Sequence, residues 1–139
     1  MDKSCRTDRK NTEKMHQIQT NGRTESIDRG DIFLVDFKQN QGAEQNGVRP
    51  ALILQNNVGN RFSPTTIVCP ISSKAKSYAK THVKLSPADC GILIESSVLC
   101  EQIRAIDKSR LIKKVGRIKS QQKLNDIDCK TKILLGWRA

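Results

Sequence analysis

No apolar run in the sequence is long enough to span a bilayer, and the opening Met1-Asp2-Lys3-Ser4-Cys5-Arg6 lacks the hydrophobic segment of a secretory signal. The chain therefore reads as a cytoplasmic protein with no membrane association. It contains no internal repeat, no P-loop and no dinucleotide-binding glycine pattern. Five cysteines, Cys5, Cys69, Cys90, Cys100 and Cys129, stand well apart with no Cys-x-x-Cys pair, which gives no metal-ligand spacing and makes reduced thiols the expectation. Cys69 and Cys100 lie in apolar runs, where cysteine behaves as a small core residue. Histidine is nearly absent. An acid–base pair of imidazoles would have to combine His16, in a polar N-terminal stretch, with His82, in a strand-like run, so such a pair is not indicated.

Acidic residues are also scarce: 14 Asp and Glu face 25 Lys and Arg, a net charge of +11. A domain with this balance is drawn toward nucleic acid or an acidic protein partner. The excess is concentrated in two runs. Arg104 to Lys123 holds eight basic residues against Asp107 alone, and Lys74 to Lys84 holds four lysines and no acid. Two such runs in one small domain point to a polyanion-binding face.

At 139 residues the chain has room for one domain with an extension. Residues 1–27 carry mixed charge with Met15, Ile18 and Ile27 as large apolar residues after Met1, too few to offset the entropy of ordering, and are expected to form a flexible extension. The domain then covers 28–139. Asp28-Arg29-Gly30-Asp31 signals a turn into a strand at Ile32–Phe37. Lys38–Gly47 reads as a functional loop, Pro50–Gln55 as a second strand, 56–64 as an irregular connection and Thr65–Ile71 as a third strand. Pro70 cannot donate to a ladder, so that strand is expected to bulge, end or lie at an edge there. Further strands are predicted at Thr81–Leu85, Ser97–Ile106 and within Leu111–Ile118, with a capped single turn at Ser86–Asp89. Leu124, Ile127, Thr131 and Leu134 recur at helical spacing, which predicts one substantial helix from Ser120 or Gln121 to Leu135, stopped by Gly136. Short, closely spaced strands with one late helix predict a mainly β fold, a small antiparallel barrel.

Gly47-Val48-Arg49-Pro50-Ala51-Leu52 mounts a lone arginine where a loop hands over to a strand, a usual place for binding residues. Its guanidinium is always charged and offers five donors in a planar fork suited to phosphate oxygens. On this stretch alone, a strand-ending surface arginine is the favoured reading.

Five motifs in order change that balance: Arg29-Gly30-Asp31-Ile32, Gly47-Val48-Arg49-Pro50, Asn60-Arg61-Phe62-Ser63-Pro64-Thr65, Cys69-Pro70-Ile71-Ser72-Ser73-Lys74 and Glu101-Gln102-Ile103-Arg104-Ala105-Ile106-Asp107. Together they resemble the MazF/PemK family of toxin endoribonucleases over about residues 28–135. The resemblance implies an SH3-like β-barrel of the MazF/CcdB kind and a homodimer. It also implies metal-independent cleavage of single-stranded RNA to a cyclic phosphate, without a cofactor, and silencing by an antitoxin protein with an acidic segment. Arg49 matches the family's Gly-x-Arg-Pro arginine, and Ser72 matches a catalytic position commonly held by threonine, with Ser73 as the substitute. An arginine fork and a hydroxyl suit a cleavage that needs in-line positioning and donors for phosphoryl charge.

Candidates for holding RNA are Lys38 and Gln45 in the long loop, Arg61 and Phe62, Ser73 and Lys74, and Gln102, with Phe62 suited either to base stacking or to core packing. Glu101 and Arg104 are expected to serve structure, as an ion pair. Two other readings remain: a noncatalytic nucleic-acid-binding barrel, and a toxin of the related CcdB type that inhibits a topoisomerase.

Overall fold

The computed structural model describes residues 18–20, 23–38, 47–74 and 80–137. Two short strands, β1 (Ile18–Thr20) and β2 (Arg23–Glu25), pair with each other. The main sheet contains β3 (Asp31–Asp36), β4 (Val48–Ile53), β5 (Thr65–Ser72), β6 (His82–Leu85), β7 (Ser96–Leu99), β8 (Arg104–Asp107) and β9 (Leu111–Arg117). Its order is β6-β7-β5-β4-β3-β9, with β8 also on β5, and every pairing is antiparallel. Among the described residues three helices complete the fold: α1 (Asn57–Phe62), α2 (Pro87–Cys90) and α3 (Gln121–Leu134). The expected mainly β architecture with one late helix is the one found.

Both faces of the sheet are covered. Ala51 and Ile53 of β4 pack with Ile27, Phe33, Val35 and Phe37, while the alternating Leu52 and Leu54 pack with Ile71, Val98 and Ile127 of α3. That two-sided burial is why β4 reads as a continuous apolar run, not as an alternating one. Helix α3 starts where predicted, with the Ser120 hydroxyl accepting from the Lys123 N–H. Gly136, at φ +74°, closes it in the left-handed conformation that favours glycine. Arg29 ties the helix to the sheet by reaching the Leu54 carbonyl at 2.6 Å and Asp128 at 2.5 Å.

Pro70 neither ends β5 nor bulges it. On one edge of β5, β8 pairs with residues up to Val68 and β7 pairs from Ile71 onward, so the residue without an N–H falls where that edge has no strand partner. The same break corrects the predicted strand at Ser97–Ile106, which is two strands joined by a 3-10 turn at Cys100–Gln102. Glu101 and Gln102, which with Arg104 could not all share one strand face, sit in that turn. The connection at 56–64 likewise contains α1, because the Asn56 side chain caps it by accepting from the Gly59 N–H at 2.8 Å. At the other boundary, Ile27 is fully buried and β1 pairs with β2, so packing reaches back across residue 28. Residues 1–17 of the expected extension lie outside the described residues.

Candidate functional site

One end of the sheet gathers the end of β3, the start of β4, the end of β5 and the start of β7. The β4–β5 register, with Ala51 opposite Pro70, brings Arg49 level with Ser72 when continued by two residues. On its other side Arg49 faces Val35 of β3. Just before it Gly47 adopts φ +74°, a conformation that costs a residue with a Cβ about 1–2 kcal/mol. Gly47 closes the base of the long loop, its N–H donating to the Lys38 carbonyl and its carbonyl accepting from the Phe37 N–H, both at 2.9 Å. Lys38 is exposed there, and Gln45 lies outside the described residues.

Arg49, Ser72 and Ser73 line one cleft of about 570 Å³. Its floor is Leu34 and Pro50, which face each other across β3 and β4, and β9 adds Lys113 and Lys114 to the wall. Among the described residues the cleft has no carboxylate in its lining. Its rim is apolar, with Leu93 94% and Ile94 64% exposed. Lys114 also reaches the fully buried Asp31 at 3.0 Å, and Arg117 meets the same carboxylate at 2.7 Å, so Lys113 is the cleft lysine free of that pairing. Sequence reasoning did not single out Lys113 and Lys114, although both lie in the basic run already noted.

Ser72 is 7% exposed, and its hydroxyl oxygen accepts from the Lys74 N–H at 3.2 Å. A hydroxyl held as acceptor by a backbone N–H keeps its own hydrogen for another acceptor, and none is present among the described residues. Ser73 and Lys74 follow on the exposed turn that leaves β5. The structure therefore brings Arg49, Ser72 and Ser73 together, with Lys38 and Lys74 at the same end of the sheet.

It does not bring in Arg61, Phe62 or Gln102. Arg61 and Phe62 end α1 immediately before β5 begins, about 20 Å from Ser72 along a strand of that length. Their neighbour Asn60 is fully buried, its Oδ1 accepting from Thr66 at 2.7 Å and its amide donating to the Gln55 carbonyl at 2.9 Å. Lys108 donates to the Asn60 carbonyl from below, and burial pushes its ammonium down to about 8. Gln102 sits in the 3-10 turn opposite the middle of β5. The expected Glu101–Arg104 pair is replaced by two others: Glu101 meets His82 at 2.8 Å, and Arg104 stacks over Phe37 at 5.6 Å. His82, on β6, thus has a structural partner in the 3-10 turn.

Among the described residues no group of three or more His, Cys, Asp or Glu side chains is arranged to hold a metal ion. Cys69, Cys90 and Cys100 are free and buried, and Cys129 is exposed. The hydrogen bond to Cys100, together with burial, pushes the Cys69 thiol up, so it stays protonated. No described helix is long and apolar enough to cross a membrane.

Residues 28–135 match the family of PemK-like, MazF-like toxins of type II toxin–antitoxin systems. Endoribonuclease EndoA of Bacillus subtilis is 44% identical over 93 residues, which make up 66% of this chain and 80% of its own. The crystal structure of MazF from Deinococcus radiodurans superposes with a TM-score of 0.69 at 30% identity, covering 79% of this chain and 96% of that one. The MazE–MazF complex from the same organism gives 0.67 at 27% identity, covering 81% and 98%.

Proposed function

Because the chain belongs to the PemK-like, MazF-like toxins of type II toxin–antitoxin systems and is an endoribonuclease of that family, we propose that it cuts single-stranded RNA at a short recognised sequence. Attack by the RNA's own 2′-hydroxyl leaves a 2′,3′-cyclic phosphate. The observation that carries this reading is a cleft lined by both Arg49 and Ser72, cationic and without a carboxylate among its described lining residues. A scissile phosphate seated there meets the Arg49 fork, which neutralises charge as it builds on the phosphoryl oxygens. The Ser72 hydroxyl, its oxygen anchored by the Lys74 N–H, donates its hydrogen to a phosphoryl oxygen and fixes the in-line geometry. Arginine scarcely deprotonates, so Arg49 stabilises charge and does not move the proton. None of these steps calls for a metal ion.

Lys38, Ser73 and Lys74 stand where the strand enters this end of the sheet and hold its backbone. Gln45 belongs to the loop that Lys38 and Gly47 close. Arg61, Phe62 and Gln102 line neither wall of the cleft, and a role for them in RNA binding requires a strand that continues along β5. The Deinococcus MazF forms a complex with MazE, and a cognate antitoxin of this chain is proposed to cover the basic cleft with an acidic segment. Ile133 and Trp137, each 68% exposed at the end of α3, supply an apolar contact for a homodimer.

The test is to incubate the purified protein with a long single-stranded RNA in excess EDTA and to map the fragment ends. Discrete cuts at one recurring sequence, with cyclic phosphate ends, support the reading. RNA that is bound but intact selects the noncatalytic barrel, and RNA that is neither bound nor cut turns the search to a protein target.

A further inference from the structure

A second cleft, of about 480 Å³, opens from the first across the Ser72–Ser73 turn and Ser96, which line both. Sheet register connects them. Ser72 pairs with Ser97 of β7, and Ser97 pairs with Lys84 of β6; continuing the β4–β5 register two residues past Ala51–Pro70 sets Arg49 at the head of the same row. At the spacing of neighbouring strands this row is about 14 Å long, and it leads out of the cationic cleft into the second one.

The lining changes character along the row. Among the described residues the first cleft has no carboxylate, whereas the second contains Asp89 and Glu95 beside Lys84 and Lys123. Lys123 donates to the Lys84 carbonyl at 2.9 Å, which pins its ammonium at the wall. The Ser86 N–H and hydroxyl both donate to Asp89 Oδ2, at 2.8 and 3.0 Å, leaving Oδ1 for a further donor. Those two bonds hold the Asp89 carboxyl below its ordinary range, so it stays an acceptor. Ser97 is only 5% exposed, and its hydroxyl has no hydrogen-bond partner among the described residues. A buried hydroxyl without a partner carries a cost, and here it borders an open cleft.

We propose that this second cleft reads a base: it takes the nucleotide next to the scissile phosphate and selects one that presents an amino group. The inference rests on the endoribonuclease reading above. Carboxylates are acceptors only, so Asp89 and Glu95 favour the exocyclic amino groups of adenine, cytosine or guanine over uracil, which offers exocyclic carbonyls and N3–H as its one edge donor. Ser97 supplies a third polar contact, and Lys84 and Lys123 meet the adjoining phosphate. The first cleft does the chemistry and the second sets one letter of the recognised sequence.

The experiment uses the full chain and two sets of oligonucleotides in which each position flanking the mapped cut carries each of the four bases. One set is ordinary RNA and reads cleavage. The other has a 2′-deoxy sugar at the cut, cannot react, and reads binding by fluorescence anisotropy. The wild type should discriminate against uracil at one flanking position by ~10-fold or more in both sets. Glu95→Gln, which adds a donor while keeping the shape, should lift uracil toward parity at that position alone, and Ser97→Ala should weaken the preference there. Binding discrimination with no cleavage would sink the nuclease reading while leaving the subsite standing. Cleavage with the same base preference in wild type, Glu95→Gln and Ser97→Ala would overturn the subsite alone. So would variants that keep that preference and lose only inhibition by the antitoxin.

Discussion

The two ends of β5 are both rich in polar side chains, and they are built in opposite ways. At the Thr65 end, Asn60, Thr66, Gln55 and Lys108 satisfy one another in a closed and buried network. At the Ser72 end, Ser72 and Ser97 are almost as buried, yet each borders a cleft and keeps hydrogen-bonding capacity unused among the described residues. Saturated polar groups fix a fold, because nothing is left over to recognise a ligand. Unsaturated ones cost stability and are retained where a substrate completes them. One strand therefore separates stability from function along its length, and substitutions at its two ends should divide the same way.

The largest effect belongs to Arg49→Ala. It removes the charged fork from a cleft in which Lys113 alone cannot replace its geometry, so cleavage of a mapped RNA site should fall about a thousandfold. The side chain stands at the strand's edge and not in the core, so the melting temperature should move little. An Arg49→Ala protein that cuts RNA at the wild-type rate would break the division at its functional end.

Asn60→Ala should give the mirror image. It strands the Thr66 hydroxyl and the Gln55 carbonyl in a fully buried site, at a cost of about 2–3 kcal/mol read from urea unfolding. Cleavage at a temperature where the variant remains folded should stay within about twofold, because about 20 Å of strand separates the two sites. Loss of activity by the folded variant would show that the ends are coupled.

Ser72→Ala is smaller and sharper. It deletes the one hydroxyl anchored by the Lys74 N–H and facing the cleft, and should slow the chemical step about 10- to 100-fold, with substrate binding nearly unchanged. Ser72→Thr should retain activity, since the β-branched residue keeps the hydroxyl and restricts its rotamer. If Ser72→Ala is fully active and Ser73→Ala is slow, the reactive hydroxyl sits one residue further along the turn.

Much of this division was legible in the sequence, and the unread part has physical causes. Strand positions and the α3 helix follow from apolar periodicity and the Ser120 and Gly136 signals. The Gly47–Pro50 stretch marked Arg49 because a glycine turn and a proline fix a backbone locally. Asn60-Arg61-Phe62 read as a binding motif because polar residues look alike whether they face water or one another. Only the sheet shows that Lys108, 48 residues away, reaches back to close over Asn60. The second cleft was unreadable for a similar reason, since β6, β7 and α3 meet there from distant parts of the chain. Lys113 and Lys114 went unread because only the sheet shows that β9 pairs with β3 and so stands at the wall of the Arg49 cleft.

The finest test of the saturated end is its pH dependence. Burial lowers the Lys108 ammonium from 10.5 to about 8 in the folded protein. Between those values the unfolded chain binds the extra proton and the folded chain does not, so this residue makes stability rise as pH climbs from about 8 toward 10.5. Below about 8 both states are protonated, and the full penalty of a buried charge is present. Lys108→Met removes the titration while keeping most of the apolar stem. The difference in unfolding free energy between wild type and Lys108→Met should therefore change in favour of the wild type as pH is raised across that window. Cleavage by the two proteins should respond to pH in the same way, because the Lys108 amine lies at the far end of β5 from the Arg49–Ser72 cleft. A difference that stays flat with pH would mean that Lys108 keeps its proton on the Asn60 carbonyl throughout.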